Sequence, residues 1–88
     1  MYRECELCGR TTDRIERHHL IGGTANRRLS EKYGLVMYLC RECHRLAHED
    51  KGTYILLHRM AERTFLAEQN ATVDDFIAVF GKNYLTEE

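Results

Sequence analysis

The chain has no proline, no internal repeat and no low-complexity segment, so nothing in it marks a linker or divides its 88 residues. It is expected to be a single domain, residues 1–88. No apolar run approaches the ~20 residues of a membrane span. The first residues carry no apolar stretch of the signal-peptide kind, which points to a soluble, cytoplasmic chain. A charge excess is missing as well. The net charge of -1 excludes a polycation that holds nucleic acid by bulk attraction alone. The distribution is less neutral: residues 1–51 carry ten Lys/Arg against eight Asp/Glu, the remainder three against six. The first half therefore tolerates a phosphate ligand without proving one. A chain this short buries only about 60–65% of the surface that its unfolded form exposes, so a metal or disulfide staple is expected.

What is present begins with four cysteines, Cys5, Cys8, Cys40 and Cys43, arranged as two C-x2-C pairs about thirty residues apart. Two such knuckles, each offering two thiolates on a tight turn, complete the tetrahedron of a structural zinc site. Disulfides and unrelated free thiols are the alternatives, and nothing else in the chain suggests secretion.

Between and beyond the knuckles the pattern predicts α+β architecture. Residues 14–21 read as a short strand anchored by Ile15 and ended by Gly22-Gly23. Residues 24–29 read as a loop that turns helical over 30–33 and stops at Gly34. Residues 35–39, Leu-Val-Met-Tyr-Leu, read as the second strand. A helix is predicted over 41–49, closed by Lys51-Gly52, then a longer one capped by Thr53 and reaching about Gln69. The last helix takes Thr72 as its cap and Gly81 as its stop, with Val73, Phe76, Ile77 and Phe80 at helical spacing.

Four of the five histidines cluster beside the cysteines. His44 and His48, four apart on a helix, share one face and can share a metal. His18 and His19, adjacent on a strand, point to opposite faces. One can reach that metal while the other stays free as a base, the division that metal-assisted hydrolysis requires. His58 has no partner in the pattern and is read as a packing residue.

Taken together, Cys5-x2-Cys8, His18-His19 and Cys40-x2-Cys43-His44-x3-His48 resemble the motif of the HNH (His-Me finger) endonucleases. The resemblance covers roughly residues 5–48. It implies a ββα-metal finger over about residues 5–50, with a helical extension over 53–85 packed on it. It also implies a structural Zn2+ on the cysteine quartet and a catalytic divalent metal (Mg2+, Mn2+, Ni2+ or Zn2+) on His18, His44 and His48. His19 takes the place of the general base, which deprotonates the water that attacks a DNA phosphodiester and leaves a 5′ phosphate and a 3′ hydroxyl. Many members place an asparagine just before the second strand, where this chain has Tyr33-Gly34-Leu35. The nearest candidate for that catalytic role is Asn26. The Gly22–Gly34 stretch and the tail from Phe80 also resemble small phage- and prophage-encoded members, which implies DNA recombination or processing in a bacterial host.

Arg17, Arg27, Arg28 and Lys32 flank the expected site and are the candidate DNA contacts. Such residues position a phosphate backbone without reading its sequence. The apolar faces of the two last helices must bury on the finger or across a homodimer interface. A different class of function also fits: a non-catalytic zinc-binding module for nucleic acid or protein. A redox C-x2-C protein fits poorly, because it leaves the histidines unexplained.

Overall fold

The β-compatible residues around the two histidines form a hairpin-like pair. In the computed structural model, which describes residues 2–85, β3 (Ile15–His19) runs antiparallel to β4 (Val36–Cys40). The register sets His18 opposite Met37 and His19 opposite Val36. A smaller sheet precedes it, with β1 (Arg3–Glu4) antiparallel to β2 (Thr11–Thr12) around the first cysteine knuckle. Gly9, at φ 82°, turns that knuckle, a conformation that L side chains adopt at a steric penalty. The knuckle is fastened to β4 by a reciprocal pair of hydrogen bonds. The Glu6 N–H donates to the Tyr38 carbonyl at 2.9 Å, and the Tyr38 N–H donates to the Glu6 carboxylate at 3.2 Å.

Four helices complete the α+β fold: α1 (Thr24–Lys32), α2 (Arg41–Glu49), α3 (Lys51–Glu68) and α4 (Val73–Phe80). The expected loop over 24–29 is therefore helical. Its sequence is too polar to show a helical period, and tertiary anchors decide the matter. Ser30 is fully buried, and its hydroxyl donates to the Ile21 carbonyl at 3.0 Å, while Leu29 and Tyr33 lie against the core. The first long strand is also shorter than predicted. Leu20 and Ile21 leave the ladder and enter the core directly.

The junction of α2 and α3 departs from the prediction too. Lys51-Gly52 does not close a helix, and Thr53 is not a cap. Asp50 alone separates the two helices, accepting from the Thr53 N–H at 2.9 Å and from its hydroxyl at 2.8 Å. A carboxylate at this position satisfies the orphan amides of the first turn as well as a threonine does, which makes Gly52 a first-turn residue. At α4 the prediction and the structure agree. Thr72 and Asp75 form a reciprocal capping box, and Gly81 ends the helix in the left-handed conformation at φ 88°.

The core is continuous from the strands to the last helix. Leu35 and Leu39 of the β4 arm, Ile21, and Leu57, Ala61 and Phe65 of α3 bury together with Phe76 and Phe80 of α4. Phe65 meets Phe76 and Phe80 at ring separations of 5.5 and 5.8 Å, inside the range of favourable aromatic contact. Both C-terminal helices thus bury their apolar faces within the chain, though Ile77 and Leu56 remain exposed. The tail after α4 is strapped to α3. The Tyr84 N–H donates to Glu62 at 2.7 Å, and Arg59 donates to the Tyr84 carbonyl at 2.8 Å.

Candidate metal centres

β4 ends in Cys40, whose sulfur caps α2 by accepting from the Cys43 N–H at 3.4 Å. The Cys8 N–H reaches the Cys5 sulfur at 3.5 Å in the first knuckle. Each C-x2-C pair is thus a tight turn whose own amide points at a thiolate. The contacts between knuckle and β4 bring the two turns together, and the four sulfurs lie within 4.8 Å of one another. Cys8 and Cys40 are 3.9 Å apart. A tetrahedron with Zn–S bonds of ~2.3 Å has edges of about 3.8 Å, so the spacing is that of a zinc site. The quartet can hold a zinc ion.

The thiols respond to this crowding in opposite directions. Burial alone would raise Cys5, but the backbone amides of Cys8, Cys40 and Leu7 bring it down to about 6. Cys43 is pushed up, first by burial and then by the sulfurs around it. One cysteine is ready to be a thiolate and another resists, which is the charge problem that a bound dication removes.

The second cluster follows from strand alternation. Even-numbered residues of β3, Glu16 and His18, face α2, while the odd-numbered Arg17 and His19 face α1. His18 is buried and meets His44 and His48 at ring-centroid separations of 5.0 and 5.2 Å, and His44 and His48 are 5.1 Å apart. The three rings form a nearly equilateral triangle, with one ligand nitrogen from each within 4.8 Å of the others. His18 is held in its neutral, ligand-competent form. Burial first, then the neighbouring His44 and His48, lower it from the ordinary 6.5 to about 4.

Two carboxylates hold the flanking rings, and sequence reasoning missed both. Glu16 Oε1 lies 2.6 Å from His44 Nδ1, with Arg41 3.8 Å from its other oxygen. A carboxylate accepts only, so Nδ1–H donates and Nε2 of His44 is left for a metal. Glu31 of α1 stands in the same relation to His19. Its Oε2 lies 2.7 Å from His19 Nε2, and its Oε1 accepts from Arg17 at 2.8 Å. Nε2–H of His19 therefore donates, and Nδ1 carries the free lone pair. Strand alternation put Glu16 on the face of His18 and could have found it. Nothing local could have found Glu31, because its place depends on α1 being a helix.

The sequence-predicted site residues divide accordingly. His18, His19, His44 and His48 line one cleft of about 530 Å3, joined by Arg17 and Arg27. Arg28 and Lys32 lie exposed on α1, outside the residues lining that cleft. Asn26 is half-buried on α1, and the side chain hydrogen-bonded to His19 is that of Glu31. His58 is buried between Tyr54 and Tyr84, its Nδ1–H donating to the Tyr54 carbonyl at 2.8 Å, a packing residue as expected.

The chain matches no protein-family model, no curated protein and no solved structure. Its chemistry has to be read from the cysteine and histidine clusters themselves. No helix is long and apolar enough to cross a membrane among the described residues.

Proposed function

We propose that the chain is a metal-dependent endonuclease of the HNH type, acting on DNA phosphodiester bonds. In this reading β3, β4 and α2 are the ββα-metal finger, and the zinc quartet clamps its two ends. The observation that carries the reading is the division of labour among four histidines. Three imidazoles converge from β3 and α2. The fourth, His19, turns to the other face of the strand and is held by a carboxylate.

Three neutral imidazoles with one side open suit a divalent transition ion. When bound, such an ion supplies Lewis-acid stabilisation of the negative charge that builds on the phosphate oxygens. The remaining work belongs to the chain. His19 accepts a proton from water at Nδ1 as the water oxygen bonds to phosphorus and the P–O3′ bond breaks. The leaving 3′ oxygen is protonated from solvent, giving a 3′ hydroxyl and a 5′ phosphate. Glu31 fixes the ring and balances the imidazolium as it forms, the role that an orienting carboxylate plays for a catalytic histidine. Arg17 holds Glu31 in turn. Asn26 has no part in this scheme, and Glu31 takes the orienting task.

The test is nicking of supercoiled plasmid by protein stripped of metal and refilled with magnesium, manganese, nickel or zinc. Wild type is expected to nick with at least one of these ions, and His19→Ala to lose about 100-fold or more in rate with its fold intact. Equal nicking by both proteins would overturn the base assignment. No nicking by wild type with any ion would favour a non-catalytic zinc module built on the same frame.

A further inference from the structure

The cleft beside the histidine triad has a second wall that the hydrolytic scheme does not use. It is made by Gly22, Gly23 and Arg27, where α1 begins. α1 starts without a side-chain cap, because its N-cap is Gly23, at φ 99°. The first intrahelical bond to the cap is Arg27 N–H to the Gly23 carbonyl, at 2.8 Å. The backbone N–H groups of residues 24–26 therefore have no acceptor within the helix. A helix end of this kind carries about half a positive charge and takes up phosphate oxygens readily.

Three further observations turn this helix end into a site. His18, 6% exposed, lines the same cleft and makes no hydrogen bond among the described residues, so a buried polar ring opens unpartnered toward the amino end of α1. Arg27 forms no ion pair among the described residues, in contrast to Arg17, which Glu31 neutralises. Gly22 is a glycine that the fold does not need: its φ is not positive, and a Cβ there would meet nothing within 4 Å. Gly23 requires glycine for its φ, yet the space above it is open too. Two adjacent bare backbone positions leave room for a ligand to approach the amides closely.

We propose that the amino end of α1, with Gly22, Gly23 and Arg27, is a phosphate-binding site that seats one phosphate of the polynucleotide backbone against the histidine triad. The inference rests on the nuclease reading and deepens it. The amides of residues 24–26 bind non-bridging oxygens, Arg27 supplies the full charge, and the bare backbone at Gly22 admits the phosphate. Binding of this kind is independent of base identity.

The test follows backbone amide signals of the zinc-loaded full chain by NMR, titrated separately with inorganic phosphate and with a short DNA duplex, using His19→Ala to prevent cleavage. The signals of residues 24–27 are expected to shift with both ligands. Gly22→Ala and Arg27→Gln, each with an unchanged far-UV spectrum, are expected to raise the Kd for duplex about fivefold or more. Duplex binding that leaves those amides unmoved, or that Gly22→Ala does not weaken, would overturn the site while the nuclease reading stands on the plasmid assay. Shifts with inorganic phosphate but no binding of duplex would overturn the polynucleotide assignment. Absence of both duplex binding and nicking would remove the nuclease reading and this site with it.

Discussion

Glu16 lies two residues before His18 on β3, so both side chains leave the strand toward α2, and the carboxylate meets His44 rather than the metal position. Its hydrogen bond fixes which nitrogen of His44 faces the triad. Losing an orienting partner of this kind typically weakens metal binding by about 10- to 100-fold. Glu16→Ala is therefore expected to lower affinity for Mn2+ at the histidine site by about tenfold or more, read by competition with a chelator. Glu16→Gln, whose amide oxygen can still accept from Nδ1–H, should lose less. Equal affinity in Glu16→Ala and wild type would show that the ring needs no such support. The histidines themselves were legible from spacing, since i, i+4 on a helix and adjacency on a strand are geometric facts. Their partners were legible only in part. Alternation implied the face of Glu16, whereas Glu31 is twelve residues from His19 and depends on a helix that its own sequence barely announces.

At the scale of elements, local signals succeeded where a cap or a period was strong. α4 is the clear case. Thr72 accepts from the Asp75 N–H at 3.2 Å, and the Asp75 carboxylate accepts from the Thr72 N–H at 2.9 Å. Thr72→Ala removes one half of that exchange and is expected to destabilise the chain by about 1 kcal/mol. The thermal midpoint should fall by several degrees, about 4–8 °C for a domain of this size. An unchanged midpoint would mean that α4 docks on Phe65 without help from its cap. At the α2–α3 junction two plausible caps stood three residues apart, and the choice fell on Asp50 rather than Thr53 because α2 runs up to it without a break. At α1 the period was too weak to read. The helix forms because Ser30 satisfies the Ile21 backbone from inside the core, a contact that no local window contains.

For the whole molecule, the zinc quartet joins the β1–β2 knuckle to the point where β4 passes into α2. A core of this size leaves little stability in reserve. Removing zinc with a strong chelator at neutral pH is expected to release the first knuckle, lower the thermal midpoint sharply and disorder the start of α2, with recovery on adding zinc. Full retention of the melting curve after verified zinc loss would contradict this. Acid should act through two buried histidines. His18 is lowered to about 4, and burial also lowers His58. Below the ordinary value of 6.5 the unfolded chain takes up these protons before the folded one, so stability is complete above that pH and declines as pH falls toward 4. The denaturant midpoint should drop between neutral pH and about pH 5. His58→Phe, which keeps a ring between Tyr54 and Tyr84, should flatten that drop. A drop of the same size in the variant would exclude His58 as a source.

The sequence alone determined the ligand inventory and its spacing. Two C-x2-C pairs, a His-His pair on a strand and an i, i+4 pair on a helix each bring ligand atoms together through short-range backbone geometry, which is local. It also determined α4, because caps and apolar period act within one or two turns. Only the tertiary structure decided which groups orient the histidines, that residues 24–32 are helical, and that the bare amino end of α1 faces the metal cluster. Those outcomes depend on contacts between residues far apart in the chain, and such contacts exist only once β3, β4 and the helices share one core.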